Sequence, residues 1–229
     1  MYRSLILLIL ILILISSKAF PHTSHYDGIK TIKMEIFKDS KAIGYSNYFF
    51  DHKKNSMEVK NYTQFKVKLF GVIVFSVSSE AHEIYKNDKL VYFKSITFQN
   101  DKEKYVNLKF DPKKNKFIID GSSFKGSASP DAIIGNWWNH KILKSNKQIS
   151  PISGSVKGQV ITYIGQDNIE LYGKKYLADH YKLKSKNKNL SDDKKLDFDI
   201  WLNKENNLIL KVSYKRIGNW EYRLKNFKN

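Results

Sequence analysis

The sequence predicts an all-β chain with one short helix, an antiparallel up-and-down meander curled into a barrel or half-barrel. Three observations lead there. Apolar and polar residues alternate with period two over most of the chain, the pattern of half-buried strands. Short clusters of Asp, Asn, Gly, Ser and Lys interrupt the alternation at spacings too tight for crossover helices, so successive strands return antiparallel. About a dozen strands in one meander must curl or split rather than lie flat.

The chain starts with Arg3, an unbroken Leu/Ile run from Leu5 to Ile15, and Ser17-Lys18-Ala19. A basic start, a short apolar run and small residues at a cleavage site describe a secretory signal peptide over residues 1–19, cut after Ala19. The run is shorter than the ~20 residues a spanning helix needs. No cysteine follows it to carry a lipid. The expected product is an exported, periplasmic, soluble protein with no lipid anchor and no integral membrane span after signal cleavage. Residues 20–229 suit a single antiparallel β domain, with a loop-helix insertion near 121–146.

The strands follow in order. Ile32, Met34, Ile36 and Phe37 alternate with Thr31, Lys33, Glu35 and Lys38, and Asp39-Ser40-Lys41 turns the chain. Ile43 to His52 returns to Lys53-Lys54-Asn55, and Met57 to Leu69 runs long with Val59, Tyr62, Phe65 and Val67 as its apolar set. Gly71 marks a bulge or tight bend before Val72 to Tyr85. Leu90 to Gln99, Lys104 to Phe110 and Lys116 to Asp120 complete a first meander. Residues 121–128 are small and polar, a loop. Ser129-Pro130-Asp131 reads as a helix start, with Ala132, Ile133, Ile134, Trp137, Trp138, Ile142 and Leu143 as the apolar stripe and Asn146 as the stop. Lys157 to Ile164, Ile169 to Tyr172 and Tyr176 to Leu183 resume the strands, Ser185 to Lys195 is a charged loop, and Leu196 to Leu202, Leu208 to Tyr214 and Asn219 to Leu224 close the sheet.

Composition excludes several functions. The 229 residues contain no cysteine, so disulfides, thiolate catalysis and cysteine metal sites are ruled out. The formal charge is +18, almost all of it lysine, with arginine only at positions 3, 216 and 223. Nucleic-acid readers rely on arginine for bidentate contacts, and export removes the chain from chromosomal DNA, so no nucleic-acid partner is expected. A diffuse lysine coat suits an anionic membrane or glycan surface, or is simply a solvated surface.

No motif for catalysis or cofactor binding stands out. His22 and His25 are close in sequence, but Pro21 removes a backbone amide that a terminal copper site would need. His52, His82, His140 and His180 show no helical pair spacing. Ser122, Ser123, Ser127 and Ser129 occupy no Gly-x-Ser-x-Gly elbow. Asp192-Asp193 falls in the charged loop, while Asp197 and Asp199 share one strand face. A glycosidase-like pair there competes with an ordinary solvent-facing surface. No enzyme activity, catalytic residue, metal site or cofactor is expected.

The aromatics offer the candidate ligand site: Phe124, Trp137, Trp138, Asn139 and His140, placed as a lid or plug over a barrel interior. An envelope hydrolase using Asp197, Asp199 or His140 is a third reading, and two others stand ahead of it. One is a non-enzymatic periplasmic protein that binds a lipid or other amphiphile or serves envelope maintenance. The other is an interaction module with a filled core that holds an envelope protein on an exposed edge or apolar patch.

Leu69-Phe70-Gly71-Val72-Ile73-Val74-Phe75, then Glu80, His82-Glu83-Ile84-Tyr85, Asn87-Asp88 and Lys89-Leu90-Val91, resemble the central segment of an uncharacterised family of exported bacterial β-proteins, a domain of unknown function. Ser129-Pro130-Asp131-Ala132 and Trp138-Asn139 resemble its loop-helix segment, and 208–212 with 221–224 resemble its final hairpin. The resemblance supplies a fold and no activity. A more remote likeness is to periplasmic lipoprotein carriers, half-barrels capped by helices over an apolar cavity.

Overall fold

A computed structural model describes Tyr26 and residues 28–229. The expected signal segment, His22 and His25 lie outside the described residues.

The strands are β1 (Thr31–Lys38), β2 (Lys41–Lys53), β3 (Ser56–Leu69), β4 (Val72–Lys86), β5 (Lys89–Gln99), β6 (Lys102–Asp111), β7 (Lys116–Gly121) and β8 (Phe124–Ala128). After them come β9 (Ile133–Ile134), β10 (Lys147–Ile149), β11 (Val156–Leu171), β12 (Lys174–Ser185), β13 (Asp197–Asn203), β14 (Ile209–Lys215) and β15 (Asn219–Lys228). All fifteen form one sheet in the order β8-β7-β6-β5-β4-β3-β2-β1-β15-β14-β13-β12-β11-β10-β9. Strand β1 pairs with β15, so the two ends of the domain meet in the middle of the sheet. The sheet does not close, since β8 and β9 are its two edges. It curls instead, and one apolar cluster unites Met34, Phe93, Leu183 and Ile200 from strands far apart in the order.

Tight turns set the register. Asp39-Ser40 and Asn87-Asp88 hold positive φ at both positions, as two-residue hairpins between right-twisted strands require. A further turn is Phe70-Gly71, with φ of 49° and 84°.

The stretch expected as a helix is mostly not one. Ile133–Ile134 forms β9, parallel to β10, and only His140–Leu143 winds into a single 3-10 turn. The Ser129 carbonyl accepts from the Ala132 amide at 3.0 Å in a turn, so Ser129 does not start a helix. The physical reason is burial on every side. Ile134, Asn136, Trp138, Asn139, Ile142, Gln148 and Ile149 are all buried, and an amphipathic helix gains little when no face is left to water. Gly135, Asn136 and Asn139 also favour helix weakly.

Residues 129–155 therefore act as a plug inside the curled sheet. Gln159 on β11 anchors it. Its amide donates to the Ile142 and Ser145 carbonyls at 2.8 and 2.9 Å, and its oxygen accepts from Gln148 at 2.7 Å. On the opposite wall, the Ser95 hydroxyl donates to the Pro151 carbonyl.

Candidate functional site

Strand alternation aims Val77, Ser79, Ala81, Glu83 and Tyr85 of β4 at the interior. Four of these are apolar or small, but Glu83 is a carboxylate that is only 2% exposed. The plug makes this tolerable. Asn136 Nδ2 donates to Glu83 Oε1 at 2.7 Å, and the Trp138 indole N–H donates to the same oxygen at 3.1 Å. The Tyr85 hydroxyl donates to Oε2 at 2.6 Å. Burial still dominates and raises the Glu83 carboxyl to about 7, while the three hydrogen bonds work against it. Asn136 Oδ1 is buried and has no hydrogen-bond partner among the described residues.

Glu83 and Asn136 form the floor of a cavity of about 600 Å³ between the plug and strands β1 to β5, β14 and β15. Above the floor runs a hydroxyl-bearing band, Ser46, Thr63 and Ser79, with Asn61 beside it. Ser46 and Thr63 bond each other at 2.7 Å, and Asn61 donates to Ser46 at 3.1 Å. Nearer the mouth the wall becomes an apolar collar of Phe65, Val67, Phe75, Val77, Tyr214 and Trp220. Phe65 and Trp220 meet edge to face with centroids 5.5 Å apart. The basic side chains lining the cavity, Lys38 and Arg216, sit at the mouth. An apolar cavity with a few converging polar groups is the usual form of a small-ligand site.

The expected site residues divide. Trp137 lines the cavity, edge-on to Phe198 at 5.1 Å and close to Tyr222. Trp138 does not reach the mouth. It is 1% exposed and packs edge-on to Tyr26, Phe50 and Tyr85. A ring that finds three aromatic neighbours and a partner for its N–H stays inside, so Trp138 is a plug anchor rather than a lid. Phe124 lies on β8 against the main core and does not line the cavity. Asn139 caps the 3-10 turn by accepting from the Lys141 amide at 3.1 Å and faces a different groove, beside Tyr85 and Leu90. The His140 ring nitrogen and the Tyr26 hydroxyl are 2.8 Å apart, and that hydroxyl also donates to the Trp138 carbonyl at 2.8 Å. His140 thus fixes the plug.

Asp197 and Asp199 do share a face of β13, but both are ion-paired to Lys182 between them, at 2.7 and 2.8 Å. Asp199 also meets His180 Nε2 at 3.0 Å. Burial tends to raise the Asp199 carboxyl, and the bonds from Lys182 and His180 outweigh it and lower it. His180 also contacts Asp167 at 3.1 Å and stacks on Trp201 with centroids 4.5 Å apart. The arrangement is a charge ladder along the sheet surface.

Sequence reasoning missed Glu83 and the hydroxyl band as site residues. The signal was present: an acid at an inward-facing position, two residues from Ala81 and two from Tyr85. Only the register with β3, which places Glu83 opposite Val59, identifies that face as the interior.

The family profile described as Domain of unknown function (DUF6134) matches residues 34–225. No curated protein matches. Among solved structures, the chain is similar to a β-barrel-like protein of the domain of unknown function DUF1849 from Brucella abortus. The TM-score is 0.60 at 10% identity, over 87% of this chain and 97% of that one. At that identity the likeness shows the fold alone. A DUF1329 family protein from Desulfovibrio piger aligns over 91% of this chain and 92% of that one at 11% identity, with a TM-score of only 0.25. The profile match runs from within β1 to within β15, and the chain belongs to the DUF6134 family.

Proposed function

We propose that the protein is a non-enzymatic binding protein for an amphiphile, exported to the bacterial envelope by the signal-like segment before Phe20. The observation that carries this reading is the cavity of about 600 Å³ with its layered wall, apolar at the collar and polar at the floor. The collar suits the apolar body of the ligand. The unpartnered Asn136 Oδ1 suits a hydroxyl or amide donor, because a buried acceptor left unpaired costs about 1–3 kcal/mol. A deep acidic group would face Glu83 with no cation beside it, so an acidic group belongs at the mouth, near Lys38 and Arg216.

The test is titration with a dansylated fatty alcohol, followed by emission of the probe. The expected result is saturable one-to-one binding that Ala81→Phe abolishes by filling the space below the collar. If Ala81→Phe folds normally and binds the probe as tightly as the unaltered protein, the cavity is not the site.

A further inference from the structure

The β3–β4 hairpin is longer than the sheet that holds it. Pairing of β2 to β3 ends at Gly44 opposite Phe65, and pairing of β5 to β4 ends at Gln99 opposite Val77. Beyond these points Lys66–Leu69 and Val72–Phe75 continue as a free two-stranded ribbon, with Val74 as the extra residue of a bulge. Four residues at about 3.3 Å each give an overhang of roughly 13 Å. Exposed apolar residues stand on both faces of the ribbon, and Lys66 and Lys68 share one face with Ile73: Leu69 is 57% exposed, Val72 65%, Ile73 48% and Val74 50%, with Phe70 97% exposed at the apex.

A second tip stands at the same end. Antiparallel pairing of β1 with β2 and β15 puts the β14–β15 turn beside the β1–β2 turn, where the Asn219 amide donates to Asp39 Oδ1 at 2.8 Å. The apex of that turn is Ile217, 93% exposed. Val74, Phe75, Arg216 and Ile217 all line the cavity, so the two tips flank its mouth.

Both apices are held in a conformation that disfavours them. Phe70 has φ of 49° and Ile217 has φ of 46°, each followed by a glycine with positive φ. Bulky and β-branched residues pay a steric cost there, and Asn or Asp is the usual occupant. Turns elsewhere in this chain do use them, as at Asn87-Asp88. Tyr172, a third bulky residue with positive φ, is explained by its hydrogen bond to Glu35 at 2.8 Å. Phe70 and Ile217 are almost wholly in solvent, so burial does not repay their strain.

Charge indicates what covers them. Beside Asp39, which is paired with Lys38 at 2.7 Å, the tip segments carry Lys66, Lys68, Lys215 and Arg216 and no acid of their own. All four are exposed and set back from the apices. Apolar apices with cations one step behind match the depth profile of an anionic bilayer surface, where apolar groups enter the acyl boundary and cations remain among the head groups. A protein groove would cover one face of the ribbon, whereas a bilayer surrounds both.

We propose that this end of the sheet docks on an anionic lipid bilayer, with Phe70 and Ile217 inserted and the cavity mouth opening onto the membrane. The inference stands on the two tips and is independent of what fills the cavity.

The test uses protein recovered from secreting cells, with intact mass establishing that residues 5–15 are gone. Sedimentation with vesicles of phosphatidylglycerol and phosphatidylcholine is compared with phosphatidylcholine alone, at low and high salt. The expected result is binding to the anionic vesicles that weakens with salt, and a loss on the order of tenfold or more in Phe70→Asn/Ile217→Asn. Asparagine suits both backbone positions, so thermal stability of the variant should hold or rise. Phe70→Asn alone, at a residue outside the cavity lining, should also weaken vesicle binding and leave titration with the dansylated probe unchanged, which separates docking from cavity binding. The proposal is overturned if the unaltered protein stays off anionic vesicles, if the variant binds them equally well, or if the tips instead mediate self-association that the variant removes.

Discussion

The Trp138 indole N–H donates to Glu83 Oε1, 55 residues away in sequence, at 3.1 Å. This bond joins the plug to the wall of the curled sheet at the floor of the cavity. Asn136, on the same irregular segment, reaches the same oxygen at 2.7 Å. The wall thus contributes one buried carboxyl, and the plug supplies most of its donors.

Stability should depend on pH through Glu83. Its folded-state value of about 7 lies above the ordinary 4.5, so between these values the folded state keeps a proton that the unfolded state has lost. Stability therefore falls as pH rises from about 4.5 to 7 and is level above that. The span corresponds to about 3 kcal/mol. Urea unfolding across this range should show the slope, and Glu83→Gln should remove it and be the more stable form at pH 8.

Trp138 and Trp137 should behave differently. Trp138→Ala opens a hole among Tyr26, Phe50 and Tyr85 and should cost about 3–5 kcal/mol. Trp138→Phe keeps most of the ring but removes one donor to Glu83, so its pH-dependent window should extend to higher pH. Equilibrium unfolding of both variants measures this.

Trp137→Ala should affect binding more than folding. Its half-buried ring lines the cavity beside Phe198 and Tyr222. A loss of about tenfold in affinity for the dansylated probe, at equal folded fraction, is expected. An unchanged affinity would remove Trp137 from the site.

Gln159→Leu should loosen the plug. It leaves the Ile142 and Ser145 carbonyls and the Gln148 amide without their partner, at a cost of about 3 kcal/mol. Hydrogen exchange should accelerate over residues 133–149 and stay slow in β2 to β5.

Most strands were legible in the sequence because period-two alternation and Asp/Asn turns are local signals, but Phe124–Ala128 in the segment read as a loop forms β8, and β11 runs past Gly165 with only a bulge where the sequence reading ends one strand and starts another. Asp39-Ser40 and Asn87-Asp88 fall at turns as read, and Gly71 marks one. The plug was not legible. Ile133, Ile134, Trp137, Trp138 and Ile142 form a helical stripe on paper, but burial from every side is a property of the surrounding sheet. Trp138 was grouped with Trp137 for the same reason: neighbours in sequence point to opposite destinations, one to the cavity and one to the core. Glu83 was hidden among exposed acids, because an inward acid differs from an outward one only once the register is known. Phe70 and Ile217 look like ordinary strand residues until their positive φ and exposure are seen.

The most direct measurement is native mass spectrometry of the protein purified from the cells that export it, followed by organic extraction and identification of whatever is released. A stoichiometric amphiphile, lost in Ala81→Phe, is the expected result. A bare mass that persists after incubation with a total envelope lipid extract would contradict cavity binding.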